Sequence, residues 1–289
     1  MNELGELLYR IKHGLDTQVS LARLRRQRTL RDAVADRTVL ITGASSGIGR
    51  AAAEQIADAG GLVLLVARRE DELRELAEQI TARGGRAAVY ACDLNDFDAL
   101  DAVAAKVLAD HGGVDVLVNN AGRSIRRRLD ESYDRFHDFE RTMRLNYFAA
   151  VRLILAFAPG MRERRDGQVV NILSLANLYG GPGYAAYVAS KAALDSLSAN
   201  LQAETLTENL RFTSIYLPLV RTPMIAPNPL YGNADALTPE QGGQIICDAI
   251  IDRPRRLAPV LGRFTALVDN LLPERADAIR SARFTGSGM

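Results

Sequence analysis

The sequence predicts an α/β fold in which a parallel sheet of about seven strands carries helices on both faces. Three observations predict it. Short apolar runs alternate with helical patterns from Thr38 onward, the pattern of strands joined by crossover helices. The run Thr38-Val39-Leu40-Ile41 passes straight into Thr42-Gly43-Ala44-Ser45-Ser46-Gly47-Ile48-Gly49, and Ile48, Ala52, Ile56 and Ala59 then share one helical face. A strand, a tight turn and a helix therefore meet at one corner. Between residues 38 and 261 no internal repeat, low-complexity tract or linker interrupts the alternation. These features predict a single doubly wound, Rossmann-like domain over residues 37–261 with its ligand edge at the C-terminal ends of the strands.

Taken in order, the strands are expected at Thr38–Thr42, Leu62–Ala67, Arg86–Ala91, Val114–Asn119, Gln168–Leu173 and Arg211–Leu217, with a short seventh near Ala258–Leu261. Helices fill the gaps, the longest at Asp134–Arg162 and Tyr184–Asn209. In the first corner, Gly43 permits the tight turn, Gly47 lets a pyrophosphate approach the backbone, and Gly49 allows close contact between helix and strand. The N–H groups that open the helix face the same phosphates, with Ser45, Ser46 and Ile48 beside them. The spacing is G-x-x-x-G-x-G, so the corner by itself is weak evidence for a nucleotide.

Composition narrows the partners. The 289 residues include 36 Lys plus Arg and 35 Asp plus Glu, a net charge of +1 that gives no global reason to expect nucleic acid. The two cysteines, Cys92 and Cys247, lie far apart with no histidine pairs near them. They point to a reducing, cytoplasmic compartment and to neither a disulfide framework nor a structural metal. His13, His111 and His137 fit no catalytic or metal spacing and read as surface or packing residues. No apolar run approaches the roughly 18 residues of a membrane span, and no cleavable leader is expected. Residues 1–36 form a basic extension: Leu7, Leu8, Ile11 and Leu15 recur at helical spacing, then Arg23, Arg25, Arg26, Arg28 and Arg31 follow without an intervening acid. It reads first as a solvated helical arm, with contact to an anionic membrane surface or a partner subunit as the alternatives.

The end of the second strand reports on the ligand. A carboxylate there would accept from an adenosine ribose; the chain instead has Val66-Ala67-Arg68-Arg69. Arg68 and Arg69 supply planar donors for a 2′-phosphate, so NADPH fits better than NADH. Asp93-Leu94 follows the third strand and Asn119-Asn120-Ala121-Gly122 the fourth, both on the expected ligand edge. Tyr187 and Lys191 stand four apart on a helix and face the same way. An ammonium near a phenol favours its ionised form, so the pair can move a proton near neutral pH. Ser174 closes the fifth strand, where its hydroxyl can meet a substrate oxygen beside that tyrosine.

Together these motifs resemble the short-chain dehydrogenase/reductase family over about residues 37–260. The resemblance implies Tyr187 as acid/base, Lys191 lowering its pKa and holding the nicotinamide ribose, Ser174 orienting the substrate oxygen, and Asn146 sustaining a water-linked proton path to Lys191. It assigns NADP(H) to Gly43, Ser45, Ser46, Gly47, Ile48, Gly49, Arg68, Arg69, Asp93, Leu94, Asn119, Ala121 and Gly122, to Tyr187 and Lys191, and to Pro218, Val220 and Thr222. It implies a homodimer or homotetramer through the long helices. One departure is Leu219, where the family usually has glycine after the proline.

A narrower resemblance is to bacterial fatty acyl-CoA reductases of the short-chain type. It rests on Asn119–Arg127, Ser132–Met143 and Pro218–Pro227, the last including Leu219. It implies NADPH-dependent reduction of a long-chain acyl thioester to an aldehyde. A carbonyl reductase or alcohol dehydrogenase acting on a hydrophobic ketone, aldehyde or hydroxy compound is the alternative, and a non-catalytic nucleotide sensor a third. Arg123, Arg126, Arg127 and Arg128 stand where they could meet the phosphates of a CoA or carrier-protein arm, or form a solvated or subunit-contact patch. Thr222–Pro239, rich in Pro, Leu and Ile, suits a lid over an apolar substrate. In the tail over 262–289, Phe264, Leu267, Leu271 and Leu272 predict a helix whose default is simple packing on the domain, the alternatives being a cover over the site, a subunit contact or a membrane contact.

Overall fold

A computed structural model of the chain describes residues 28–226, 231–232 and 234–286. The expectations for Leu7 to Arg26 and for His13 lie outside the described residues, as do parts of the lid and the last residues of the tail. The elements run α1 (Leu30–Val34), β1 (Thr38–Thr42), α2 (Gly47–Asp58), β2 (Leu62–Ala67), α3 (Glu70–Ala82), β3 (Arg86–Ala91), α4 (Phe97–His111) and β4 (Val116–Asn119). They continue with α5 (Phe136–Met143), a π-helical turn (Arg144–Phe148), α6 (Ala149–Glu163), β5 (Gly167–Ser174), α7 (Ala176–Tyr179), α8 (Ala185–Thr205) and β6 (Leu210–Leu217). The last are α9 (Pro239–Asp252), β7 (Arg256–Leu257), α10 (Val260–Leu271) and α11 (Pro273–Gly286).

The sheet is parallel with order β3-β2-β1-β4-β5-β6-β7. The chain winds from β1 outward to β3, then returns to place β4 on the other side of β1. That reversal splays the loops after β1 and β4 apart and opens a crevice at their C-terminal ends. Both faces are covered because every strand alternates. In β1, Val39 and Ile41 pack with Ala33 and Val34 of α1, Ile56 of α2, Leu73 of α3 and Ile246 of α9. Leu40 points the other way, to Leu100 of α4 and Leu153 and Phe157 of α6. Each such fully buried Leu or Ile contributes about 1.5–3 kcal/mol.

Four sequence expectations need correction. The helix expected over Asp134–Arg162 starts at Phe136 and is broken by the π-helical turn Arg144–Phe148. The one expected over Tyr184–Asn209 runs from Ala185 to Thr205 and ends in a short 3-10 turn, with Asn209 left-handed at φ 57°. The seventh strand lies at Arg256–Leu257, paired to Ser214 and Ile215. The apolar run expected to form it begins a helix instead, because Pro259 has no N–H to give to a ladder and sits at the N-cap of α10. In α10 the expected packing is also reversed. Phe264 and Leu267 are 62% and 54% exposed, while Gly262 is buried against Leu175 and Leu178.

Candidate active site

A cavity of about 900 Å³ opens where β1, β4, β5 and β6 end. Its floor is the corner between β1 and α2. Gly43 and Gly47 take φ of +68° and +57°, which side chains rarely adopt. A Cβ on Gly47 would stand 3.0 Å from Thr222 Cγ2, and one on Gly49 2.5 Å from the Gly43 carbonyl oxygen. Ser46 caps α2 without a side-chain hydrogen bond, so its side chain leaves the opening N–H groups to an incoming anion. A cradle that any Cβ would fill, floored by a helix N-terminus, fits the pyrophosphate of a dinucleotide.

At one end of the cradle stand the two arginines. Arg69 donates to the hydroxyls of Ser45 (3.0 Å) and Ser46 (2.9 Å) and pairs with Glu72 at 2.6 Å. Arg68 is exposed and lines the same cavity. Asp93 accepts from the backbone N–H (3.0 Å) and side-chain amide (2.8 Å) of Asn95. Those bonds hold its carboxyl below the usual range against the opposing effect of burial, with smaller help from Arg68 and Arg123.

At the other end, α8 presents Tyr187 and Lys191 beside Ser174 at the end of β5. Tyr187 shares a hydrogen bond with Ser174, yet burial pushes the phenol up to about 12. That is opposite to the lowering expected from Lys191, because desolvation outweighs the stabilisation of a phenolate here. Burial likewise brings Lys191 down to about 8, and its Nζ donates to the Ile172 carbonyl at 2.7 Å. The fold alone thus presents Tyr187 as a phenol at neutral pH, the form that can give a proton.

The π-helical turn explains the placing of Asn146. Its wider ring turns the buried amide toward the loop after β4, where Oδ1 accepts from Arg123 N at 2.8 Å and Nδ2 donates to Arg123 O at 2.9 Å and to Ser190 Oγ at 2.9 Å. A Cβ on Gly122 would lie 3.3 Å from both Asn146 Oδ1 and Lys191 Nζ. Gly122 therefore keeps the gap between these two polar atoms open.

Most of the sequence-expected residues line this one cavity: Gly43, Ser45, Ser46, Gly47 and Ile48 from the corner, Arg68, Arg69, Asp93 and Leu94, Ala121 and Gly122, Ser174, Tyr187 and Lys191, and Pro218, Val220 and Thr222. Gly49, Asn119 and Asn146 do not. Gly49 supports the turn from beneath, and Asn119 turns into the sheet, donating to Asn171 at 2.8 Å. Its neighbour Asn120 lines the cavity and ties the Thr42 and Gly43 carbonyls at 2.9 and 3.3 Å. Of the four arginines after β4, Arg127 is closed by Asp138 (2.8 Å) and Arg128 by Asp130 (3.1 Å). Arg123 lines the cavity and Arg126 is exposed.

Sequence reasoning missed an aromatic wall. Tyr179, Tyr184 and Tyr231 line the cavity near Tyr187, and the Tyr231 hydroxyl donates to that of Tyr184 at 2.6 Å. Tyr184 stands three residues before Tyr187, a helical spacing that could have signalled a shared face; Tyr231 has no local signal. The remaining wall is apolar, from Leu175, Leu219, Met224 and Ile225.

A family profile described as short chain dehydrogenase matches residues 37–229. An uncharacterized oxidoreductase of Mycobacterium tuberculosis is 53% identical over 264 residues, 90% of this chain and 77% of that one. A fatty acyl-CoA reductase of Acinetobacter baylyi is 49% identical over 254 residues, 88% of this chain and 86% of that one. Among solved structures, a metagenomic short-chain oxidoreductase in complex with NADP is 31% identical and superposes with a TM-score of 0.66, covering 77% of this chain and 94% of that one.

Proposed function

The chain belongs to the short-chain dehydrogenase family, and on that premise we propose that it reduces a long-chain fatty acyl-CoA to the fatty aldehyde. It is an NADP-dependent short-chain oxidoreductase. The observation that carries the finer reading is the likeness to the Acinetobacter reductase along 88% of the chain. The apolar wall of Leu175, Leu219, Met224 and Ile225 beside Tyr187 supports it, since an acyl chain needs such a surface.

When bound, the nicotinamide supplies the hydride. The residues of this chain do the rest. Ser174 donates a hydrogen bond that orients the thioester carbonyl, and Tyr187 passes its phenolic proton to the oxygen as negative charge develops there. The resulting hemithioacetal then breaks its carbon–sulfur bond, releasing aldehyde and the CoA thiol. Lys191, held by the Ile172 carbonyl, stands beneath Tyr187 to hold the ribose and return a proton, with Asn146 across the gap at Gly122. Arg123 and Arg126 are the arginines we assign to the phosphates of CoA. The catalytic unit in this reading is residues 37–261, and the exposed Phe148 and Leu155 near the π turn and on α6 support pairing of subunits along that helix.

The test is NADPH oxidation with palmitoyl-CoA against a panel of hydrophobic ketones and aldehydes, with released thiol titrated in parallel. Thiol appearing in step with NADPH loss is the expected result. Turnover of ketones or aldehydes without thiol would replace this reading with carbonyl reduction.

The choice of NADPH has its own check. Replacing both Arg68 and Arg69 by Ala removes the charged donors beside Ser45 and Ser46. Hydrogen bonds to charged groups contribute about 1.5–3 kcal/mol, so NADPH affinity should fall roughly 10–100-fold while NADH affinity changes little. Equal losses for the two nucleotides in a fluorescence titration would remove the 2′-phosphate assignment.

A further inference from the structure

Between Ser174 and Tyr187 the chain makes a detour that local structure does little to fix. Helix α7 ends at Tyr179, and the turn that follows carries Gly180 and Gly183, both at φ +82°. α8 then begins after Tyr184, whose side chain makes no cap hydrogen bond. A glycine turn leading into a helix without a side-chain cap has wide backbone freedom. Yet this segment delivers Tyr179 and Tyr184 to the cavity wall, so contacts from elsewhere have to set its place.

The C-terminal helix α11 supplies such contacts. Arg280 donates to the Tyr179 carbonyl at 2.7 Å, and its Cδ stands 3.3 Å from where a Cβ on Gly180 would be. The guanidinium is aimed rather than loose: it is ion-paired to Asp269 of α10 and to Asp277 of α11, and only 23% of the side chain is exposed. One turn further along, Phe284 Cε2 stands 3.2 Å from the Cβ position of Gly183. Gly183 also meets the loop after β4. Its carbonyl accepts from Arg127 N at 2.7 Å, and Arg128 of that loop lies over the Phe284 ring at 5.2 Å. At the other end of the detour, Gly262 lets α10 approach Leu175, the neighbour of Ser174. The two C-terminal helices therefore bracket the stretch that joins Ser174 to Tyr187.

We infer that α11 is a positioning element of the active site: Arg280, through the Tyr179 carbonyl, and Phe284, against Gly183, hold the segment that carries the Tyr179 and Tyr184 wall of the substrate cavity. The role rests on Ser174 and Tyr187 meeting the substrate oxygen, and not on which carbonyl is reduced. A carbonyl held by a charged donor is held firmly, and releasing it releases more than one ring, because the Tyr231 hydroxyl donates to that of Tyr184 at 2.6 Å. Tyr187 is secured separately. Further along α8, Lys191 donates to the Ile172 carbonyl at 2.7 Å, and Ser190 accepts from Asn146 at 2.9 Å. Loosening the wall should thus weaken substrate binding while the proton donor stays in place.

The experiment compares full-length wild type, R280Q, F284A and D277A. Steady-state kinetics at saturating NADPH use whichever of palmitoyl-CoA or the hydrophobic ketones and aldehydes the wild type reduces, and amide hydrogen exchange is followed over residues 179–188. R280Q and F284A are expected to raise KM about tenfold, with kcat within about threefold and NADPH affinity within about twofold of wild type. Exchange over 179–188 should quicken about tenfold in both, with the β1–α2 corner unchanged. D277A removes an exposed ion pair of the same helix but leaves the bond to Tyr179, and should match wild type throughout. Unchanged KM or unchanged exchange in R280Q and F284A overturns the proposal. So does D277A as impaired as R280Q, or a loss of kcat or NADPH affinity as large as the rise in KM, since either would make α11 a general support of the fold. If no substrate of the panel is turned over, exchange alone decides. Thiol release is not read, so failure of the acyl-CoA reading leaves this test standing.

Discussion

Tyr187→Phe is expected to lower NADPH-dependent reduction by roughly 10²–10⁴-fold, the range for losing a positioned general acid, while leaving NADPH binding within about twofold. The ring keeps its place on α8 and its van der Waals contacts; only the hydroxyl beside Ser174 is lost. The pH profile tests the same pair from another side. With the phenol pushed up to about 12, Tyr187 keeps its proton throughout the working range. Lys191, brought down to about 8 by burial, is the group that titrates within it. Its ammonium is present below that value and lost as pH rises through it. Reduction should therefore fall on the alkaline side with an apparent pKa near 8, and Lys191→Met should remove that limb along with most of the activity. Stopped-flow traces of NADPH loss across pH give both results. Near-wild-type turnover by Tyr187→Phe would falsify the acid assignment.

Gly49→Ala is expected to abolish high-affinity NADPH binding although Gly49 does not line the cavity. Its new Cβ would come within 2.5 Å of the Gly43 carbonyl oxygen and 2.6 Å of Asn120 Nδ2. The first is backbone, and the second is already committed to the Thr42 carbonyl at 2.9 Å, so neither yields cheaply. The corner must open, which moves Gly43 and Gly47 away from the pyrophosphate position. Overpacking of this kind costs about 1–3 kcal/mol, or a Tm lower by about 2–4 °C for each kcal/mol in a domain of this size. Gly84→Ala is the control without a clash. Unlike Gly49, Gly84 has a positive φ, +81°, and nothing lies within 4 Å of its Cβ position. It should lose about 1 kcal/mol through backbone strain and bind NADPH normally. Differential scanning fluorimetry with and without NADPH separates the two variants, and wild-type NADPH affinity in Gly49→Ala would show that the corner tolerates a side chain.

Much of this architecture is written locally in the chain. The first two strands begin and end where the apolar runs do, because a strand buried on both faces needs an unbroken run and the flanking glycines and charges end it. Tyr187 and Lys191 are legible as a pair because an α-helix makes residues four apart neighbours. The two arginines after β2 are legible because strand ends on a known edge have a known exposure. Where the reading failed, a distant contact outweighed the local pattern. Asn119 looked like a ligand-edge amide, yet Asn171, 52 residues on, turns it into the sheet. The four arginines after β4 read alike in sequence. Asp138, 11 residues on, closes Arg127 and the nearby Asp130 closes Arg128, while Arg123 reaches the cavity.

The sequence by itself determined the winding of the sheet, the glycine corner, the arginine pair and the helical spacing of tyrosine and lysine, because each follows from periodicity or from what a backbone turn permits within a few residues. Tertiary structure alone decided that burial pushes the Tyr187 phenol up rather than down, the gap that Gly122 keeps between Asn146 and Lys191, the wall made by Tyr184 and Tyr231, and the outward face of α10. A periodic pattern says which side of a helix is apolar; only the neighbour that occupies the other side, here Leu175 against Gly262, decides whether that apolar side meets protein or is left exposed.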